Sequence, residues 1–205
     1  IHDRSVNRTT NGKGKIGDMS AAQIRELDAG SWFGSEFAGT KVPFLYEVIE
    51  RIDGKAKLLI EIKKKGKADD GLEEAVVKTI RDHNAAAWCE IQSFNDNVLE
   101  KIHQQDPSIP LHKLILFKYR CFAYAFDGKI SRFDMEKYDY VKNINLHYRF
   151  FNKAFCDEVK SHGKGVFIWG YRKQDACFPA EKTGYDGIIT DYPASFLERF
   201  VVNTD

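Results

Sequence analysis

Lys57-Leu58-Leu59-Ile60-Glu61-Ile62-Lys63 is the stretch on which the fold turns. Its run of leucine and isoleucine reads as a buried strand over Lys57–Ile62. Two features set it apart from an ordinary core strand. A carboxylate inside an apolar run is costly unless it is paired or bound to a metal. Glu61 and Lys63 also lie two residues apart, so they project to one side while Ile60 and Ile62 project to the other. A carboxylate and an ammonium together at a strand end suit a divalent cation and a phosphate oxygen. They equally suit an internal Glu–Lys ion pair at the mouth of a barrel.

Working outward, further apolar runs rich in β-branched and aromatic residues read as strands: Ala87–Gln92, Leu114–Tyr119, Val141–Leu146, Gly165–Gly170 and Gly187–Thr190. Most do not alternate cleanly, as expected of strands covered on both faces. Helical spacing falls between them. Gly71–His83 carries Leu72, Ala75, Val76, Thr79 and Ile80. Asp96–Gln104 carries Val98, Leu99 and Ile102 behind an Asn95 or Asp96 cap. Phe150–His162 is stopped by Gly163, and Ala194–Val201 closes the chain. Strand–helix alternation of this kind predicts an α/β fold of parallel strands with helical crossovers. About six βα units are present, whereas a closed (β/α)₈ TIM barrel needs eight. The expectation is therefore either an open sheet or a barrel whose first two units lie upstream of Ile1. Residues 2–39 read as an irregular excursion with a brief helix at Ala21–Leu27, and another helix follows at Leu45–Ile52.

Composition narrows the function classes. The 205 residues fit one domain, and 43% are hydrophobic, enough for a sizeable core. Lys+Arg is 31 against Asp+Glu 30, which argues against nucleic acid as the partner. No apolar run approaches the roughly 18 residues of a membrane span. Cys89, Cys121, Cys156 and Cys177 form no CxxC pair and read as buried small hydrophobes. They leave periplasmic, secreted and cytoplasmic settings all open. Lys63-Lys64-Lys65-Gly66-Lys67 reads most simply as a solvated strand exit.

In a parallel barrel, chemistry sits at the C-terminal ends of strands and in the loops that follow. Beside Glu61 and Lys63, that rule selects Trp169, whose indole is either a wall for a ligand's carbon skeleton or core packing. It also selects Gly184–Pro193, a phosphate loop or a structural turn with Asp191 capping the last helix. His147, just past its strand, is the one remaining histidine positioned for a site; His83, His103, His112 and His162 show no ligand spacing. At the other end of the chain, His2-Asp3 offers either a proton carrier or a surface residue.

Taken in order, these segments resemble the glycerophosphodiester phosphodiesterase family. His2-Asp3, Arg8-Thr9-Thr10, Gly12 and Gly14 match its HD…RTT.G.G segment, and Leu27–Phe33 matches LDAG.WF. Gly39, Pro43, Leu45, Glu47 and Val48 match G…P.L.EV, and Ile60-Glu61-Ile62-Lys63 matches IE(I/L)K. Ile91-Gln92-Ser93-Phe94, Trp169 and Gly184–Pro193 match later strand ends. The resemblance implies a (β/α)₈ barrel, one domain over 1–205, with 1–50 as the family's small insertion after the second strand. It implies metal-dependent hydrolysis of a glycerophosphodiester to glycerol phosphate and an alcohol. By position, Glu61 would be a carboxylate ligand of Ca²⁺ or Mg²⁺, Lys63 would bind the phosphoryl group and His2 would be one of two acid–base histidines. Trp169 would lie beside the glycerol.

The family also opens on an HRG motif and an E-x-D pair, which supply the second histidine, an arginine and two metal carboxylates. The chain starts at Ile1 without them, in line with the count of six strands. Smaller departures are Thr40 where glutamate is usual, and Gly170 and Arg172 where threonine and asparagine tend to follow the tryptophan. The competing expectation is a non-catalytic barrel that binds phosphodiesters or sugar phosphates without a complete metal site.

Overall fold

The computed structural model describes residues 1–64, 71–117, 127–128, 130–171, 184–194 and 197. Cys121, Cys177, Arg172, residues 65–67 of the lysine run and most of the closing helix lie outside them. The chain divides into two units, Ile1–Leu58 with Lys64–Trp88, and Leu59–Lys63 with Cys89–Asp205.

The first unit is built on three helices, α1 (Ala21–Glu26), α2 (Leu45–Ile52) and α3 (Leu72–Asp82). Ser20 starts α1 with a capping box: its hydroxyl accepts from Gln23 N–H, and the Gln23 side chain accepts from Ser20 N–H. Glu47 receives Phe44 N–H at 2.7 Å and a bidentate pair from Arg25, both bonds 2.8 Å, which ties α2 to α1. α2 packs on α3, burying Ile49, Val76, Val77 and Ile80. The expected helices at 21–27, 45–52 and 71–83 are all present, the first and last trimmed at their ends. The lysine run needs correction. Lys64 is not a solvated strand exit: its ammonium lies 3.1 Å from both oxygens of Glu73, which is fully buried on α3. Burying a carboxylate requires such a partner.

The second unit carries a six-stranded sheet in sequence order, β1 (Leu58–Glu61, whose first residue falls in the other unit), β2 (Cys89–Ser93), β3 (Leu111–Ile115), β4 (Asn143–His147), β5 (Gly165–Tyr171) and β6 (Gly187–Thr190). β2 to β6 pair in parallel throughout. Leu58 N–H donates to the Trp88 carbonyl (2.9 Å) and Ile62 N–H to the Gln92 carbonyl (3.0 Å), an advance in step that sets β1 in the same sense beside β2. Helix α4 (Asp96–Gln105) packs on β2 and β3, and α5 (Lys153–Ser161) on β5, as helices that connect parallel strands do. Asn95 and Asn152 cap these helices through their side chains. β3 begins three residues before the expected Leu114, because Leu111, His112 and Lys113 are all buried in the sheet. α5 likewise starts at Lys153 rather than Phe150, since 148–150 form a separate 3₁₀ turn. Cys89 and Cys156 are fully buried, and burial pushes the Cys89 thiol up to about 11. Both are inert packing groups, as the sequence suggested.

The register divides each strand into two faces. Gln92 pairs with His112, His112 with Asn143, Asn145 with Phe167, and His147 with Trp169. The hydrogen bond from Ile62 puts Glu61 beside Gln92 on this same face. The opposite face holds Ile91, Leu111, Ile115, Ile144, Leu146, Val166 and Ile168, all buried.

Candidate active site

At the C-terminal end of β1 the Lys63 ammonium meets the Glu61 carboxylate at 2.8 Å. The Glu61 side chain is 22% exposed and that of Lys63 is 37% exposed, so the pair sits at a partly wetted strand end. The shared face predicted from their spacing is the face that carries Gln92 and, further round the sheet, Trp169.

Trp169 lies near the C-terminal end of β5 on that face. Its indole N–H donates to the Asn145 carbonyl (3.0 Å), and its ring meets Phe94 edge-on at 5.4 Å and His147 edge-on at 4.5 Å. Phe94 is held in turn: the buried Lys113 ammonium donates to its carbonyl at 2.8 Å. Lys113 also lies 3.1 Å from Asp96 and 2.9 Å from Asp127. Asp96 takes a further ammonium from Lys137, and the Tyr138 hydroxyl donates to it. Burial raises the Asp96 pKa, but Lys137 and Lys113 outweigh it and leave the carboxyl below its usual value.

Deeper on the same face lies a polar chain that the motif reading missed. His112 Nε2 is 2.7 Å from Glu90 and 2.9 Å from Asn143, and its Nδ1 is 3.2 Å from the Asn145 side-chain oxygen. Asn145 donates to the Gln92 side chain at 2.7 Å, and Lys142 donates to Glu90 at 3.0 Å. Burial holds the His112 pKa below its ordinary value, with Glu90 pulling the other way. The available signal was the adjacent His112-Lys113 inside an apolar run, the same anomaly that singles out Glu61.

His2 belongs to the first unit. Its Nδ1 is 3.1 Å from Asp3, and Asp3 accepts two bonds from Arg8, at 2.7 and 3.1 Å. Arg8, followed by His2, holds the Asp3 carboxyl well below the usual carboxylate range. An ionised Asp3 fixes the proton of neutral His2 on Nδ1 and leaves Nε2 as the ring's acceptor. Nearby in sequence, the LDAG stretch folds around Asp28. Its carboxylate accepts from the backbone of Gly30, Ser31 and Gly39 and from the Ser31 hydroxyl. Only glycine fits at position 30, because a Cβ there would lie 1.8 Å from the Phe37 carbonyl oxygen.

Among the described residues no three His, Cys, Asp or Glu side chains converge as a metal site. Glu61 contributes one carboxylate and faces an ammonium. Hard divalent cations take six or more oxygen ligands, so the described donor set does not by itself fit one.

The profile of the Glycerophosphoryl diester phosphodiesterase family matches residues 1–195. The chain belongs to this family. A glycerophosphodiester phosphodiesterase from Caldanaerobacter subterraneus is 34% identical over 200 residues, covering 96% of this chain and 77% of that protein. A putative glycerophosphodiester phosphodiesterase from Bacillus subtilis, YhdW, is 30% identical over 194 residues, covering 94% and 76%. Among solved structures, a phosphodiesterase from Oleispira antarctica in complex with its product sn-glycerol-3-phosphate superposes with a TM-score of 0.81 at 23% identity. That match covers 98% of this chain and 78% of the other. The family fold is a TIM barrel, and the six parallel strands in sequence order are part of such a barrel wall.

Proposed function

We propose that the protein hydrolyses glycerophosphodiesters to glycerol phosphate and an alcohol. The observation that carries this is the Glu61–Lys63 pair at the end of β1, on the face that also bears Trp169, in a chain of this family. The six parallel strands belong to the wall of the family's (β/α)₈ barrel.

In this reading Lys63 and Trp169 take their roles from their strand ends, and His2 takes its role from the family resemblance. The Lys63 ammonium receives a phosphoryl oxygen, trading its bond to Glu61 for a charge-assisted bond to the substrate. Trp169 presents an apolar edge to the glycerol carbons. His2, with its tautomer held by Asp3, carries protons at Nε2, taking one from an attacking hydroxyl or returning one to the leaving alcohol. The reading includes a divalent cation, Ca²⁺ or Mg²⁺, with Glu61 as one ligand. Family membership supports it; the described donor set does not complete it. Such a cation would neutralise phosphoryl charge when bound.

The test is release of glycerol phosphate from glycerophosphoethanolamine by the protein expressed with its complete reading frame, with added Ca²⁺ or Mg²⁺ and with EDTA. Metal-dependent release is the expected result. Binding of glycerol phosphate without hydrolysis would replace the enzyme by a phosphodiester-binding barrel.

A further inference from the structure

β5 does not run evenly beside β6. Trp169 pairs with Ile189 and Tyr171 with Thr190, so Gly170 is an extra residue, a β-bulge at the strand end. Its φ of +85° is a left-handed conformation that glycine adopts without strain. Bulges of this kind re-aim neighbouring side chains and occur beside active sites. Here the bulge opens a notch, and the His147 ring fills it. A Cβ on Gly170 would lie 2.6 Å from both Cδ2 and Nε2 of His147. The ring is fixed from its other side as well, because Nδ1 accepts from the backbone N–H of Arg149 at 3.3 Å. So placed, it meets the Trp169 indole nearly perpendicular, at 88° and 4.5 Å.

From this geometry we infer that His147 is a positioning residue for Trp169, with Gly170 as the residue that makes room for it, and that the pair sets how firmly the site holds the glycerol end of its substrate. This deepens the phosphodiesterase reading and rests on it for the glycerol lying against the indole. The indole is held by its bond to the Asn145 carbonyl and by two edge-on rings, Phe94 and His147. Phe94 hangs on a backbone anchored by buried Lys113, whereas His147 stands at a half-buried strand end. Replacing the His147 ring removes one of the two edge-on contacts that hold the indole.

The experiment combines kinetics with ¹⁹F NMR on fluorotryptophan-labelled full-length protein, the Trp169 resonance being assigned by its loss in Trp169→Phe. In His147→Ala the resonance shifts or broadens, and KM for glycerophosphoethanolamine rises by about 2- to 12-fold, the worth of one aromatic pair. The change falls on KM rather than kcat. His147→Phe, which keeps a ring in the notch, restores both readouts. Gly170→Ala displaces the ring and reproduces the His147→Ala effects, and the double variant adds nothing further to KM. A Trp169 resonance at its wild-type position in His147→Ala overturns the inference, as does an unchanged KM in that variant of an active enzyme, or additive effects in the double variant. If the wild-type protein neither hydrolyses the diester nor binds glycerol 3-phosphate, the phosphodiesterase reading fails instead. The ¹⁹F resonance alone then decides whether His147 holds the indole.

Discussion

Glu61 and Lys63 project from one face of one strand end and close an ion pair of 2.8 Å. The pair keeps two charged groups solvated by one another while leaving each able to exchange its partner for a ligand. In the proposed reading a phosphoryl oxygen takes the ammonium in place of Glu61.

That exchange gives the first prediction. Lys63→Met removes a charge-assisted bond to the phosphoryl group, worth about 1.5–3 kcal/mol, and lowers kcat/KM by roughly 10- to 150-fold. Glu61→Gln keeps the shape and removes the charge, so its activity responds less steeply to added Ca²⁺ or Mg²⁺. Steady-state kinetics across a metal titration reads both. Wild-type behaviour in both variants would remove the pair from the site.

His2 tests the proton-transfer role separately. His2→Ala is expected to lower kcat by about 10²- to 10⁴-fold while KM changes little. Asp3→Asn releases the ring from its tautomer and lowers kcat by less. A rise in KM with unchanged kcat would instead mark His2 as a binding group.

Lys113 is the residue whose loss the fold should feel most. Its side chain is 1% exposed and answers Asp96, Asp127 and the Phe94 carbonyl at once. Lys113→Met leaves two carboxylates facing each other without that cation, at a cost of about 3–5 kcal/mol. Urea unfolding measures it, and a loss below about 1 kcal/mol would show that the network relaxes on its own.

The presence of the strands and the face of the Glu61–Lys63 pair were legible because β periodicity and apolar runs carry that information locally. Strand starts were less so. β3 begins at Leu111 because His112 and Lys113, polar in isolation, are buried against groups up to 33 residues away in sequence, such as Asn145. Lys64 misled for the same reason, since its partner Glu73 lies on a helix whose packing the local pattern does not show. His147 was marked by its position past a strand, but its fit into the Gly170 bulge depends on a register shift between β5 and β6.

The buried chain around His112 makes the last prediction, and its sign follows from burial. Desolvation is the largest influence on the ring and lowers its pKa, so the folded protein holds His112 neutral where the unfolded chain would protonate it. Above the unfolded value of about 6.5 the two states bind the same number of protons and pH has no leverage through this group. Below it, the unfolded chain takes up a proton that the folded one refuses, and stability falls as pH drops toward the lowered folded pKa. His112→Gln is expected to be less stable at every pH, because the bonds to Glu90 and Asn145 are disturbed. Its stability should nevertheless decline less than that of the wild type between about pH 6.5 and 5. Urea unfolding of both proteins over that window measures the difference in slope. Equal slopes would mean that His112 does take up the proton in the fold and answers Glu90 as an ion pair.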